Sequence, residues 1–93
     1  MRTETGFVLT WHTDPGHGWL TVPLELLRDL GIQHEISSFS YIGHNVAYLE
    51  EDDDANVFLT AFRKRFPELE LRMPEIHTDA NHWIRRLQPY HVR

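Results

Sequence analysis

Cysteine is absent from this chain of 93 residues. That excludes a disulfide framework, a thiolate metal site and a cysteine nucleophile. Small secreted domains usually lean on disulfides, so the absence points to a reducing compartment and a cytoplasmic protein. Long apolar runs are missing too: none approaches the roughly 20 residues that cross a membrane. The opening residues Met1-Arg2-Thr3-Glu4-Thr5-Gly6 carry one basic residue and no apolar stretch, so no signal peptide is expected. Serine occurs only at Ser37, Ser38 and Ser40, without the G-x-S-x-G turn of a nucleophile elbow. The glycines around His17 lack the third glycine and the strand–helix placement of a nucleotide loop. Low-complexity stretches and linkers are also lacking, so residues 1–93 read as a single domain.

The net charge is −5, and it is unevenly distributed. Residues 1–62 hold two basic against ten acidic side chains, a net −8, whereas residues 63–93 hold seven against four, a net +3. Such a dipole suits electrostatic steering toward a charged partner.

Hydrophobic periodicity gives the elements. Phe7 to His12 reads as a strand, stopped by Asp14-Pro15-Gly16. Thr21 to Gly31 reads as a helix, with Thr21 as cap, Pro23 in its first turn and Gly31 as the left-handed residue after its end. Ile36–Ile42 and Val46–Glu50 read as strands joined by a two-residue Gly43-His44 turn. Ala55, Phe58, Leu59, Phe62 and Phe66 form one helical face, closed by Pro67. Leu69, Leu71 and Met73 alternate as a further strand. The expected fold is α+β in the split β-α-β-β-α-β, ferredoxin-like order: a four-stranded antiparallel sheet, two helices and a C-terminal tail. Residues 77–93 are open between an extra helix and an edge strand.

One short motif occurs twice. His12-Thr13-Asp14-Pro15-Gly16-His17 and His77-Thr78-Asp79-Ala80-Asn81-His82 share an H-T-D-x-x-H frame. Imidazole and carboxylate are natural ligands of first-row metals, so His12, Asp14, His17, His77, Asp79 and His82 are candidate metal ligands of a metal-dependent enzyme. His12 or His17 beside Asp14 could also serve as a general base. Against this, the ferredoxin order puts the two copies at opposite ends of antiparallel neighbours, about 20 Å apart at about 3.3 Å per residue. Each copy also has an ordinary explanation: Asp14 as an Asx-turn acceptor, and Thr78 or Asp79 as the cap of a tail segment.

The acidic run Glu50–Asp54 lacks the pattern of an EF-hand loop and reads as a solvated helix start. Nucleic-acid binding through the basic C-terminal third is an alternative that the negative total charge disfavours. The eleven aromatics exceed what one modest core needs, and tryptophan and tyrosine are the usual interface anchors. Trp11, Trp19, Tyr41, Tyr48 and Trp83 are therefore the candidate binding residues of a non-enzymatic protein-binding module, with no cofactor expected.

The runs Trp11–Leu20, Leu30-Gly31-Ile32, Ile36–Tyr41 and Tyr48–Asp52 together resemble a group of small uncharacterised bacterial proteins associated with plasmids, phages and other mobile DNA. The likeness extends over most of residues 7–79. The group has no known activity to transfer. The resemblance implies an accessory role, with a host or mobile-element protein as partner, such as inhibition of a defence or nucleic-acid-handling enzyme.

Overall fold

The computed structural model describes residues 6–92; residues 1–5 and Arg93, which enter the reading of the N-terminus and the charge balance, lie outside them. The radius of gyration is 12.6 Å, close to the roughly 12 Å that a folded domain of this length adopts. The fold is α+β, but it is not the four-stranded ferredoxin sheet. Two helices accompany a mixed six-stranded sheet and a separate two-stranded one.

The first predicted strand is bent into β1 (Gly6–Val8) and β2 (Trp11–Thr13). The return strand is likewise split into β6 (Glu70–Arg72) and β7 (Glu75–His77), with Pro74 between them. Both pairings are parallel, β1 with β6 and β2 with β7, at the same sequence offset from Gly6↔Glu70 to Thr13↔His77. Leu9 and Trp11 donate to the Arg72 and Pro74 carbonyls, so the ladder continues across the kink. Gly6 makes this approach possible: a Cβ there would collide with the Glu70 carbonyl oxygen.

A strand that the sequence reading missed, β3 (Gly18–Pro23), forms a hairpin with β2. It takes Thr21, expected as a helix cap, so α1 is only Leu24–Asp29 with Pro23 as its N-cap. Its far end matches expectation. Gly31 has φ 70°, its N–H reaches the Arg28 carbonyl, and the Ile32 N–H reaches that of Leu27. This is the Schellman closure that glycine enables.

Of the strand expected over Ile36–Ile42, only β4 (Tyr41–Ile42) forms. It pairs with β5 (Val46–Glu50) through a loop shifted by one residue: Gly43 donates to the Val46 carbonyl, and Asn45 rather than Gly43 takes the positive φ, 61°. Asparagine tolerates this region better than most residues. Helix α2 (Asp54–Arg65) follows as expected. The tail forms a 3₁₀ turn at Trp83–Arg86 and then a short edge strand β8 (Gln88–Pro89) beside β4. The large sheet runs β7-β2-β3-β5-β4-β8.

Cross-strand register assigns each residue to a face. Trp11, Leu20 and Leu49 share one face with Val22, Ala47 and Ile42. There they meet Leu24, Leu27, Phe58 and Phe62 in the main core. His12, Trp19 and Glu50 share the other face with Thr21, Tyr48 and Tyr41. The tail crosses this second face, where Ile84 is fully buried against Trp19 and Tyr48, with Leu87 alongside. Among the described residues, no helix is long and apolar enough to cross a membrane.

Candidate functional site

The two His-Thr-Asp frames are neighbours, not about 20 Å apart. The expectation assumed an antiparallel return strand, whereas β7 runs parallel to β2 and pairs Thr13 with His77 and His12 with Ile76. The frames are thus staggered by one residue. Side chains alternate along a strand, so that stagger sends His12 and His77 to opposite faces.

The six candidate ligands accordingly do not converge. Among the described residues, no three histidine, aspartate or glutamate side chains are placed to hold one metal ion. His77 contacts the Thr13 hydroxyl at 2.8 Å and the exposed Asp79 carboxylate at 3.2 Å. His12 and His82 lie together on the tail face, with ring centroids 5.0 Å apart. His17 is exposed and lies beside Trp19.

Asp14 is buried and its carboxylate is filled by protein donors. The Gly16 and His17 N–H groups reach Oδ1 at 3.0 and 2.9 Å, closing the expected Asx-turn. Arg85 adds a two-pronged contact, Nε to Oδ2 at 2.6 Å and Nη2 to Oδ1 at 2.9 Å, and the His82 N–H reaches Oδ2 at 3.1 Å. Five donors make the ionised form the stable one, and the Arg85 guanidinium foremost holds the Asp14 carboxyl far below the usual carboxylate range. Neither the His12 nor the His17 ring hydrogen-bonds it, so no histidine–aspartate base pair forms here. Asp14 instead ties the tail to the β2–β3 turn. Gly16 belongs to the same node, since a Cβ there would lie 2.9 Å from Arg85 Nη2.

The His12–His82 pair packs under Trp83 and beside Tyr48, with centroid separations of 6.1 Å from His12 to Trp83 and 6.2 Å to Tyr48. His82 Nδ1 accepts the Ile84 N–H at 3.1 Å and so caps the 3₁₀ turn, a role that the sequence suggested for Thr78 or Asp79. Burial lowers the affinity of both rings for a proton, and for His12 the neighbouring His82 lowers it further.

The candidate aromatic anchors separate by exposure. Trp19 is 2% exposed and Tyr48 is buried, so both are core residues of the tail face. Trp11 is half-buried against the main core. Tyr41 is half-buried and Trp83 is 50% exposed. The most exposed large apolar side chain is one that the sequence placed in a strand: Phe39, at 81%.

Phe39 is presented by a well-tied turn. Its N–H donates to Ser37 Oγ. Ser37 and Ser40 flank it, and both hydroxyls donate to the buried Asp54 carboxylate, at 2.7 and 2.6 Å. Ser40 Oγ also accepts the Glu50 N–H at 2.9 Å. Alternating serines and aromatics, read as strand periodicity, are here a hydrogen-bonded turn.

Beside Phe39 a groove of about 370 Å³ opens, lined by His17, Trp19, Phe39, Tyr41, Glu50, Asp52, Asp53 and Arg85. The Arg85 guanidinium lies 5.2 Å from the Trp19 ring centroid, while its charge is met by Asp14. Glu50 accepts the N–H groups of Asp52, Asp53 and Asp54, capping α2 from outside the helix. Burial opposes ionisation of Glu50, but these three donors outweigh it and leave its proton affinity lowered. Asp52 and Asp53 are exposed, with no side-chain partner among the described residues. The acidic run is therefore a helix start, but not the wholly solvated one expected, since Asp54 is buried; Glu50, Asp52 and Asp53 also form one wall of a groove.

No protein-family model, curated protein or solved structure matches this chain.

Proposed function

We propose that this chain is a small non-enzymatic protein-binding module that acts through the groove between Phe39, Tyr41 and the acidic start of α2. The observation that carries this reading is Phe39: a phenylalanine 81% exposed on a turn that a buried Ser40–Asp54 hydrogen bond ties down. Mobile surface side chains need no such anchoring. An aromatic presented on a tied turn beside a groove is a usual form of interface anchor, because little backbone freedom is left to lose on contact. The resemblance to proteins of mobile DNA gives the module its setting, as an accessory or inhibitor of a host defence or nucleic-acid-handling protein. Its site is narrower than the five aromatics named from sequence: Tyr41 lines it, Trp19 floors it, and Trp83 lies near the His12–His82 pair.

The test is cross-linked capture from a host lysate followed by variants. One captured protein should be lost with Phe39→Ser and Tyr41→Ala and retained with Ile76→Thr, all three folding normally. Capture indifferent to Phe39 and Tyr41 would sink the reading.

A further inference from the structure

We infer that the groove receives a basic side chain, arginine foremost, from the partner protein. The inference rests on the protein-binding reading and specifies what enters the site. Charge complementarity carries it. Three carboxylates line the groove, those of Glu50, Asp52 and Asp53. The one permanent cation in the lining, Arg85, is already paired with Asp14 through two hydrogen bonds. Glu50 is engaged by the N–H groups at the start of α2, so the open negative charge of the groove is that of Asp52 and Asp53, which are exposed and without a side-chain partner among the described residues. An acidic segment would be repelled. A purely apolar side chain would take water from those carboxylates and return nothing, which is costly.

The aromatic wall adds to the preference. Phe39 and Tyr41 line the groove, and a cation near the face of an aromatic ring is attracted by its quadrupole. Trp19 cannot serve in this way, because Arg85 already lies over its ring. Arginine suits the pair of walls better than lysine. Its planar guanidinium stacks on a ring while its N–H edge forks onto a carboxylate. The molecule shows that combination once internally, in Arg85 between Trp19 and Asp14.

The experiment uses the full chain, labelled with ¹⁵N, titrated with the blocked pentapeptide Gly-Arg-Gly-Arg-Gly and its counterparts carrying glutamate or leucine in place of arginine. The arginine peptide should shift amide signals of residues 39–41 and 50–53 and saturate. The glutamate peptide should leave them in place. An Asp52→Asn/Asp53→Asn double variant and a Phe39→Ser variant should each weaken the arginine peptide by about fivefold or more, with melting curves near wild type. Three results would overturn the inference: equal shifts with the leucine peptide, arginine shifts unaffected by the double variant, or no shift with any peptide. Each of these leaves the protein-binding reading standing if partner capture still depends on Phe39, and that reading fails by its own test.

Discussion

The two faces of the six-stranded sheet are built from different chemistry. The helix face buries aliphatic side chains and the rings of α2, with Leu20, Val22, Leu49, Phe58 and Phe62 essentially inaccessible to water. Its stability comes from apolar area removed from water, at roughly 25 cal/mol per Å². Among the described residues, the tail face buries a hydrophobic cluster of only three residues, Trp19, Tyr48 and Ile84. Around them it keeps two histidines, a buried aspartate and an arginine. A face made this way is held by a few directional contacts, so it responds to charge and to single substitutions in a way that an aliphatic core does not. The groove, Phe39 and the acidic wall border this second face, where a small loss of order would be felt by a ligand and hardly by the helices.

The largest effect expected is on the helix face. Phe58→Ala leaves a cavity in a fully buried site and should cost roughly 3–5 kcal/mol. In a domain of this size that lowers Tm by about 12 °C or more, with all regions melting together. Asp14→Ala should come next. It removes both Arg85 contacts and leaves the buried His82 N–H without its acceptor. Arg85 is 30% exposed, so solvent screening trims the ion-pair share, and roughly 2–4 kcal/mol is expected. The decisive readout is local. Amide exchange should accelerate at residues 82–87 while α2 amides from Phe58 to Phe62 stay protected. If both regions lose protection equally, the two faces are one cooperative unit and the comparison fails.

How far the sequence foretold this division follows from the range of the interactions. Helix α2 was legible because Ala55, Phe58 and Phe62 bury one face of a long helix, and β5 because its residues Val46–Glu50 sit in a local hairpin. Strand β3 was not. Trp19 and Leu20 point to opposite faces and both are buried, which erases the alternation that marks a half-buried strand. The parallel return of β7 onto β2 pairs residues 64 apart in sequence, and no local pattern encodes that. The Ser37–Ser40 turn failed for a third reason: its order comes from Asp54, fourteen residues beyond Ser40, while its spacing imitates a strand. Of the groove lining, Tyr41 was among the aromatics named from the sequence, whereas Phe39 and Arg85 carried no signal until their neighbours were known.

The histidines give a pH test of the same division. His12 and His82 have lowered proton affinity in the fold, mainly through burial. The unfolded chain therefore binds protons first. Their contribution to stability is complete above the unfolded histidine pKa of about 6.5 and is lost progressively as pH falls from there toward the lower folded values. Asp14 acts lower down: its carboxyl is stabilised as the anion, so its contribution persists until pH drops below about 4. Melting between pH 7.5 and 5 should show a decline that His12→Asn reduces. Tyr48 faces the pair but stays protonated throughout, since burial raises its pKa. A decline unchanged in the His12→Asn and His82→Asn variants would place the acid sensitivity elsewhere.

The smallest effect expected is the most informative about function. Phe39→Ser removes a side chain that is 81% exposed, and its turn is tied by Ser37, Ser40 and Asp54 rather than by the ring. Surface substitutions of this kind usually change stability by no more than about 0.5 kcal/mol. Tm should move by only a few degrees, in either direction, because an exposed ring stabilises the folded and unfolded chains almost equally. A loss of more than about 1 kcal/mol would mean that Phe39 packs on the domain in solution, covering the groove itself. Unchanged melting with abolished partner capture would separate binding from folding at a single residue. Leu20, Leu49, Phe58 and Phe62 on the helix face offer no such separation, because each is buried and would first have to leave the core to touch a partner.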